Sequence, residues 1–535
     1  MRTFVLEICF DMHARLILTF CVVISSLTLT SSHSVGKQPA AFHIQVVDSE
    51  TRRGVPLVEL RTVNDVKFIT DSAGNIAIRD ADLLDQQIYF HVSSHGYEFP
   101  EDGFGFRGFR VMTKPGGQKT VEIKRVNLAE RIYRITGSGI YQHTRQLGLK
   151  PPAEIPAVNS QVVGCDSVVN AVYQDRLYWF WGDTNRFSYP LGNFQVTSAT
   201  SAHPSDLDVD KGIQLEYFQN QSGFAKQMVP VKGSGPTWIF GAFVTKDQNG
   251  NERLVAKYEK IKAPLTPYQR GLALFSDKKK QFEKWIEFDL NERLYPDGQA
   301  FSRTEKGGKE WVYFATPFPL TRVLNQFDKI QSPSNYETYT YFKSGIGVKR
   351  KGQGELQVTA DMLERDSKNR LVNGWKKNAQ PITPKLERTL LQKGLIQRSE
   401  AITLLSEPSS DKESKQEKIL QLASGSVAWN PFRNKWIMIA VQSWGSSMLG
   451  EIWYAESDRI EGPWKNPTKI VTHQNYSFYN PRHHSYFDTH GGRVIYFEGT
   501  YTKMFSGTKI GTPRYDYNQI MYKLDLSRMK LAEEQ

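Results

Sequence analysis

Short stretches in which apolar and polar residues alternate recur along most of the chain. Clear examples lie at 237–244, 254–260, 309–315 and 435–441, and clusters of Gly, Pro, Asn and Asp separate them. Alternation with a period of two is typical of β-strands that bury one face. No long helical period accompanies these stretches, so the pattern predicts an all-β chain built as a β-propeller or as a large sandwich.

The first part of the chain carries its own strand and turn signals. Phe42–Val46 alternates between apolar and polar residues, and the clusters Asp48–Gly54 and Asp71–Asn75 are typical of turns. These signals predict a small β-sandwich over residues 40–126. The later strands then form a second domain over residues 135–535.

One segment interrupts the strand pattern of the second domain. Residues at about 355–420 are rich in charge, and Leu386, Leu390 and Leu395 fall at helical spacing within them. The segment ends in a run of Ser, Lys and Glu. This composition predicts an inserted helix followed by a solvated, charged loop between two strand units.

The N-terminus carries the pattern of a secretory signal peptide. Arg15 precedes the short apolar run 16–24, and small polar residues follow. We therefore expect residues 1–36 to be removed and the mature protein to be secreted or periplasmic, without membrane attachment. Met12 is an alternative start, because the acidic residues before it fit a signal poorly. A single membrane anchor is the other interpretation, although the apolar run is short for a span.

Composition narrows the class of partner. The 535 residues carry a formal net charge of +12, and 12% of them are aromatic. The positive charge is dispersed and forms no basic helix, which favours a polysaccharide, including an anionic one, over nucleic acid. Cys165 is the only cysteine after the predicted signal, so an internal disulfide is not possible. Export without disulfides is typical of a bacterial protein. We also expect the protein to be a monomer.

The most informative stretch is a predicted β-hairpin with an aspartate at each end. The strand-like runs Ser167–Tyr173 and Leu177–Trp181 flank a polar two-residue turn. Asp166 and Asp183 are equidistant from that turn, so they should face each other with Cβ atoms roughly 5 Å apart. Like charges at this distance destabilise a sheet, which indicates either a split pair of pKa values for acid–base chemistry or a bound cation such as structural Ca²⁺. In the alternative interpretation, one aspartate caps the strand and the other bonds a loop.

Further polar and aromatic residues of the second domain are candidate site residues. Glu498, at an expected strand end, is a candidate third catalytic carboxylate or the partner of an arginine. His483 and His484 are adjacent, so on a strand they face opposite sides, and no metal-ligand set is predicted. The candidate substrate-binding residues are Trp181, Asn185, Trp444, Arg482, His483, His484, Arg514 and Asn518.

Several of these candidates carry an alternative structural role. Trp181 and Trp444, together with Trp179, are candidate platforms for sugar rings, although core packing is the other fate of a tryptophan. Arg514 and Asn518 are expected either to position a substrate or to close the last sheet onto the first. The motifs of serine hydrolases, zinc proteases and nucleotide enzymes are absent from the sequence.

The segments around the two aspartates resemble a known group of proteins. Gly164–Ser167 and Leu177–Asn185, with Gly450–Ser457 and Asn480–Asp488, resemble the secreted bacterial propellers of domain of unknown function 4185. That group is similar in style to the five-bladed glycosidases of glycoside hydrolase family 43, and some of its members are endo-acting D-arabinan hydrolases. The first domain resembles carboxypeptidase-regulatory-like, transthyretin-type sandwiches.

This resemblance implies both a fold and an activity. The implied fold is all-β, a five-bladed β-propeller preceded by a small transthyretin-like sandwich. The implied activity is hydrolysis of a polysaccharide with Asp166 and Asp183 as catalytic carboxylates. The expected outcome is inversion, with Asp183 as acid and Asp166 as base.

Two other functions stay open at the level of sequence. A polysaccharide lyase would use His483 or His484, with Tyr479 or Tyr486, to abstract a proton beside a uronate. Arg482 would neutralise the uronate carboxylate. A non-catalytic carbohydrate-binding propeller would instead use the aspartate pair to hold a cation.

Overall fold

The computed structural model describes residues 40–193, 195–351, 355–408 and 417–529. The predicted signal peptide lies outside these residues. Most elements are strands, and only two short α-helices accompany them in the described part, so the prediction of an all-β chain is confirmed. Within the same residues, neither helix has the length and apolar character needed to cross a membrane.

The first eight strands form two four-stranded sheets. The strands are β1 (Phe42–Asp48), β2 (Glu59–Thr62), β3 (Lys67–Ile69), β4 (Asn75–Ile78), β5 (Gln87–Ser93), β6 (Tyr97–Glu98), β7 (Gly108–Met112) and β8 (Gln118–Arg125). One sheet has the order β4-β1-β8-β6 and the other the order β3-β2-β5-β7. Because alternate side chains of a strand share a face, Ile44, Val46, Leu60 and Phe90 are all buried in one apolar cluster.

The rest of the described chain begins with strands and one short helix. These are β9 (Glu130–Arg134), α1 (Gln142–Gln146), β10 (Val162–Cys165), β11 (Val169–Tyr173), β12 (Arg176–Trp181), β13 (Thr184–Arg186), β14 (Tyr189–Asn193), β15 (Thr197–Ser201), β16 (Glu216–Tyr217), β17 (Thr237–Lys246), β18 (Glu252–Lys262), β19 (Thr266–Ser276) and β20 (Gln281–Phe288). It continues with β21 (Gln299–Thr304), β22 (Glu310–Ala315), β23 (Pro319–Leu324), β24 (Glu337–Thr340), β25 (Lys349–Lys351), β26 (Glu355–Gln357), β27 (Gly374–Lys377), α2 (Pro384–Gln392), β28 (Leu422–Asn430), β29 (Lys435–Gln442), β30 (Ile452–Ser457), β31 (Lys465–Val471), β32 (Ser477–His483), β33 (Val494–Thr502) and β34 (Asn518–Asp525).

Most of these strands fall into five successive antiparallel sheets. Sheet I has the order β11-β12-β15-β16, sheet II β17-β18-β19-β20, and sheet III β21-β22-β23-β24-β27. Sheet IV has the order β28-β29-β30-β31, and sheet V β32-β33-β34-β9. Two small sheets, β10-β13-β14 and β25-β26, lie outside this series. Sheet V takes its last strand from a segment that precedes sheet I in the chain.

The first strands of the five sheets are neighbours in sequence order. β11 lies beside β17, β17 beside β21, β21 beside β28, and β28 beside β32. The Asn170 amide of β11 lies 3.1 Å from Nδ1 of His484, directly after β32, which brings the fifth sheet back to the first. The first strands therefore surround a common axis.

Apolar side chains fill the spaces between consecutive sheets. Tyr173 of sheet I shares a buried cluster with Tyr258 of sheet II. Trp179 and Trp181, also of sheet I, share another with Tyr496 of sheet V. Each sheet thus buries both of its faces, which explains why its strands are rich in large apolar residues.

The segment that interrupts the strand pattern contains α2. The Thr383 hydroxyl accepts a hydrogen bond from the Leu386 amide and so caps the N-terminus of α2. Leu386 and Leu390 are buried in an apolar cluster formed by the segment itself and the end of sheet III. Leu395 lies beyond the end of the helix, and part of the predicted charged loop lies outside the described residues.

Candidate active site

The predicted hairpin forms with the predicted register. Val169 of β11 lies opposite Phe180 of β12, and the two-residue turn at Gln174 and Asp175 has φ values of 47° and 60°. Positive φ at both central residues is the geometry of turns that match the twist of a hairpin. The prediction of a β11–β12 hairpin is confirmed.

The same register continues beyond the hairpin and sets the two aspartates opposite each other. Cys165 of β10 lies opposite Thr184 of β13, one position outside the pair. The Gly182 amide donates to the Asp166 carbonyl at 2.8 Å, and the Asp166 amide donates to the Asp183 carbonyl at 3.3 Å. The predicted juxtaposition of Asp166 and Asp183 is therefore present.

Asp166 lies among hydroxyl donors that come from the far end of the chain. The Tyr479 hydroxyl donates to Oδ2 of Asp166 at 2.7 Å. Burial raises the pKa of Asp166, while hydrogen bonds from Tyr479, Tyr517 and Ser167 lower it. Burial also raises the pKa of Tyr479 well above its usual range, so its hydroxyl keeps its proton and stays a donor. These donors stabilise the ionised form of Asp166.

Asp183 has a poorer set of partners. The indole Nε1 of Trp238, in the first strand of sheet II, donates to Oδ1 of Asp183 at 3.0 Å. Burial and the nearby charge of Asp166 raise the pKa of Asp183 to about 7, and the Trp238 hydrogen bond lowers it. A large fraction of Asp183 is thus protonated at neutral pH, while the hydroxyl donors around Asp166 favour its ionised form.

Unequal protonation of two facing carboxyl groups suits acid–base catalysis. One group can release a proton to a leaving group, and the other can accept a proton from water. The sequence did not point to Trp238 or Tyr517, whose side chains reach the pair from sheet II and from the segment before β34. Trp238 begins the run Trp-Ile-Phe-Gly in β17, which is similar to Trp-Phe-Trp-Gly at the end of β12. This recurrence is the only sequence feature that could have pointed to Trp238.

Trp179 and Trp181 are not sugar platforms, contrary to the prediction. Both side chains are buried, and their rings stack on each other with centroids 6.3 Å apart. As residues two positions apart on β12 they share a face, and that face packs against sheet V. Trp444 is 68% exposed, in the loop between β29 and β30, and is accessible to a ligand.

Glu498 lies in a different setting from the one predicted. It occupies the middle of β33, opposite Arg482 and Met521, so the expected strand end is wrong. Its side chain is fully buried, and Oε1 lies 2.7 Å from Nε2 of His484. Burial raises the pKa of Glu498 well above its usual range and lowers that of His484 well below it, which favours the neutral form of each. A group without access to solvent cannot contact a polysaccharide.

Arg482 and His483 line a central cavity and do not lie beside the carboxylate pair. The cavity has a volume of about 890 Å³ and is bounded by the first strands of all five sheets; neither Asp166 nor Asp183 lines it. Nε2 of His483 lies 2.8 Å from Asp488. His484 points the other way, toward Glu498, as expected for neighbours on a strand.

The remaining predicted site residues differ in their exposure and in their distance from the pair. Asn185 is partly buried in β13, next to the pair, opposite Gly164. Asn518 is fully buried, accepts from the Thr136 hydroxyl at 3.0 Å and donates to the Val163 carbonyl at 3.2 Å, so its predicted contact with substrate is not available. Arg514 is exposed, and its carbonyl accepts a hydrogen bond from Arg134.

The described ranges contain no ready set of metal ligands. Within them, no group of three or more His, Cys, Asp or Glu side chains is arranged to hold an ion. A Ca²⁺ held between Asp166 and Asp183 would have to draw further ligands from hydroxyl or carbonyl oxygens.

Comparison with known proteins gives distant structural similarity only. No protein family model and no curated protein matches the chain. An exo-β-1,3-galactanase from Phanerochaete chrysosporium is 9% identical, with a TM-score of 0.35 over 74% of this chain and 64% of that chain, so this chain spans less than two thirds of it. A thermostable family-43 glycoside hydrolase is 12% identical, with a TM-score of 0.32 over 67% and 88% of the two chains.

A third similar structure has the same low scores. The GH43_1 enzyme from Xanthomonas citri, in complex with xylotriose, is 9% identical, with a TM-score of 0.32 over 72% of this chain and 92% of that chain. At such identities and TM-scores the similarity carries no conclusion about activity. The function of this chain is inferred from its own side chains.

Proposed function

We propose that the protein is a glycoside hydrolase that cleaves a polysaccharide with Asp183 as general acid and Asp166 as general base. In this proposal sheets I to V are the blades of a five-bladed β-propeller, closed by β9, and the eight preceding strands are a transthyretin-like sandwich. The predicted signal peptide would export the enzyme from a bacterial cell. The observation that carries the proposal is the facing pair with its unequal donors, a tyrosine hydroxyl at Asp166 and an indole N–H at Asp183, whose pKa is raised to about 7.

The chemistry requires one proton donor and one acceptor. Asp183 gives its proton to the glycosidic oxygen as the bond to the anomeric carbon breaks, and Asp166 takes a proton from the water that attacks that carbon. Asp183 ends ionised and Asp166 protonated, and exchange with solvent restores both. The sign of the shifts fits these roles, because burial and the charge of Asp166 keep a proton on Asp183 up to a pH of about 7.

The environment of Asp166 supports the role of base. The Tyr479 hydroxyl orients the carboxylate, and hydrogen bonds to Asp166 oppose the rise in its pKa that burial causes, which favours the ionised form that a base needs. Inversion is the expected stereochemistry, and it requires room for a water between the pair and the sugar. The first-formed anomer, observed by ¹H NMR, tests this point separately from activity.

A lyase mechanism has less support. His484 is fully buried against Glu498, and the Tyr479 hydroxyl is engaged by Asp166. Neither of these two groups is free to abstract a proton from a uronate. The other candidates, His483 and Tyr486, line the central cavity, with His483 bonded to Asp488 and the Tyr486 hydroxyl 2.9 Å from Nδ1 of His484. An absorbance of unsaturated uronates in the products would nevertheless show elimination and would overturn hydrolysis.

The test compares the wild type with Asp183→Asn and Asp166→Asn on a panel of polysaccharides. The panel contains arabinan, β-1,3-galactan, xylan and polygalacturonate, so that it includes neutral and anionic chains. We expect new reducing ends from the wild type on at least one polymer and a loss of about a thousandfold in each variant. The control is Asp175→Asn, an exposed aspartate in the turn of the same hairpin, which should retain full activity. Equal product from Asp183→Asn and wild type would refute the acid–base assignment.

A further inference from the structure

Two exposed phenylalanines are connected to the carboxylate pair, one through the ring of Tyr479 and one along the chain after Asp183. Phe505, in the loop between β33 and β34, is 47% exposed. Its ring meets the ring of Tyr479 edge-on, with centroids 5.8 Å apart, and Tyr479 donates to Asp166. Phe505 is thus one aromatic ring away from the proposed base.

The second phenylalanine follows Asp183 along the chain. β13 begins directly after Asp183 and ends at Arg186, and Phe187 lies in the tight connection to β14. Phe187 is 67% exposed, and Tyr189, at the start of β14, is 58% exposed. Exposed aromatic residues therefore follow the proposed acid along the chain, as Phe505 contacts the tyrosine bonded to the base.

Strand direction places further exposed apolar side chains at this end of the sheets. In an antiparallel sheet the loop after the second strand returns to the end at which the first strand begins. Leu265, Trp444 and Ile510 occupy such loops in sheets II, IV and V, and they are 70%, 68% and 75% exposed. A concentration of exposed apolar groups around a polar centre is typical of a binding surface.

We propose that Phe505 and Phe187 are stacking platforms for sugar units on the two sides of the cleaved linkage. The substrate is then a polysaccharide chain bound along this end of the sheets over several units, with the linkage between Asp166 and Asp183. This inference rests on the proposed function. The C–H faces of a sugar ring pack on an aromatic face, while its hydroxyl groups stay in water, so exposed rings suit a hydrated polymer.

The first test measures how activity depends on chain length. Phe505→Ala, Phe187→Ala and Phe505→Trp are compared with wild type on oligosaccharides of increasing length, cut from the polymer that the wild type degrades, and on the 4-nitrophenyl glycoside of its sugar. We expect each alanine variant to lower kcat/KM about three- to tenfold on long chains and by a smaller factor on the nitrophenyl glycoside, which has fewer units to stack. Phe505→Trp should retain wild-type values.

The matched control is Phe432→Ala. Phe432 is 43% exposed, close to the value for Phe505, and lies in the turn between β28 and β29, at the opposite end of sheet IV. It should be neutral on every substrate. An equal loss on short and long substrates, or a shifted pH profile in Phe505→Ala, would mean that Phe505 only supports Tyr479, and this overturns the platform role.

A binding measurement separates this inference from the proposed function. In the Asp183→Asn background, migration through gels containing the polysaccharides of the panel reports affinity without turnover. Weaker retardation in Phe505→Ala and Phe187→Ala, but not in Phe432→Ala, supports the platforms even if the wild type hydrolyses nothing. Equal retardation, or none, in all variants overturns them, whereas failure of hydrolysis alone refutes only the proposed function.

Discussion

Asp166 and Asp183 face each other with unequal sets of hydrogen-bond donors. Asp166 receives hydroxyl groups from Tyr479, Tyr517 and Ser167. Asp183 receives a single indole N–H from Trp238 and lies beside the charge of Asp166. At the scale of single residues, the larger donor set favours the ionised form of Asp166, while burial and the charge of Asp166 favour the protonated form of Asp183.

We predict that Trp238→Phe shifts the alkaline limb of activity to higher pH. The acid must be protonated, so activity is present below the pKa of Asp183, about 7, and is lost as pH rises through it. The Trp238 hydrogen bond lowers that pKa by stabilising the ionised form. Its removal should raise the limb by about half a unit to one unit in a pH profile of kcat/KM.

A distant tryptophan provides the control for this prediction. Trp285 of β20 stacks on Phe327 with centroids 4.6 Å apart, on the outer strand of sheet II. Trp285→Phe should leave both limbs in place. An alkaline limb that stays fixed or falls in Trp238→Phe would contradict the assignment of that limb to Asp183.

At the scale of elements, a glycine directly after the second strand of the hairpin makes room for Asp166. A Cβ atom built on Gly182 would lie 2.3 Å from Oδ1 of Asp166, far inside a normal contact. Gly182 therefore lets the carboxylate of Asp166 lie against the strand that carries Asp183. This close approach gives the Trp-Gly-Asp sequence a physical explanation.

We predict that Gly182→Ala lowers kcat by about a hundredfold, since a displacement of the base by an ångström disrupts the geometry of attack. The free energy of unfolding should change much less than kcat, because only the Asp166 side chain has to move. The control is Gly374→Ala in β27, where the nearest atom to a new Cβ is the end of the Lys376 side chain at 3.9 Å. Wild-type kcat in Gly182→Ala would show that Asp166 does not need this position.

At the scale of the whole molecule, the eight-stranded N-terminal unit holds the segment that supplies Tyr517. The buried Tyr515 hydroxyl donates to the Thr70 carbonyl at 2.8 Å, and the Arg134 guanidinium lies 5.3 Å from the Tyr515 ring. Two residues later, Tyr517 lies near enough to Asp166 to lower the pKa of that carboxyl group. The N-terminal sheets thus take part in positioning the proposed base.

We predict that Tyr515→Phe moves the acidic limb of activity to higher pH. The base must be ionised, so activity is lost as pH falls through the pKa of Asp166. Loss of the bond to Thr70 loosens the segment and weakens the Tyr517 hydrogen bond, which raises that pKa. A pH profile of kcat/KM measures the shift, and a denaturant titration should show a stability loss of about 1 kcal/mol.

Tyr336→Phe is the matched control for this variant. The Tyr336 hydroxyl also donates to a backbone carbonyl, that of Ile330, at 2.8 Å, and its side chain is fully buried between sheets II and III. It should lose similar stability while keeping the wild-type pH profile. Identical profiles for the two variants would mean that Tyr515 has a purely structural role.

The sequence by itself determined the local features of this protein. Period-two alternation predicted the strands, and the polar turn predicted the hairpin, its register and the opposition of Asp166 and Asp183. These features depend on residues close together in the chain, where turn geometry and strand pleat leave few choices. The sequence also determined that His483 and His484 face opposite sides.

Only the tertiary structure decided which side chains are accessible. Alternation shows that Trp179 and Trp181 share a face, but not that the face packs against sheet V. It also does not show that the strand continues through Glu498 and buries it against His484. Burial depends on which sheet lies next to which, and this is fixed by the contacts that bring the fifth sheet back to the first.

The tertiary structure also decided which hydrogen-bond donors reach Asp166 and Asp183. Tyr479 lies 313 positions from Asp166, and Trp238 lies 55 positions from Asp183. No local pattern relates such residues, because their distance in space is set by how all five sheets pack together. The chain thus specifies two facing carboxyl groups locally, while the folded molecule supplies the burial and the donors that raise the pKa of Asp183 to about 7.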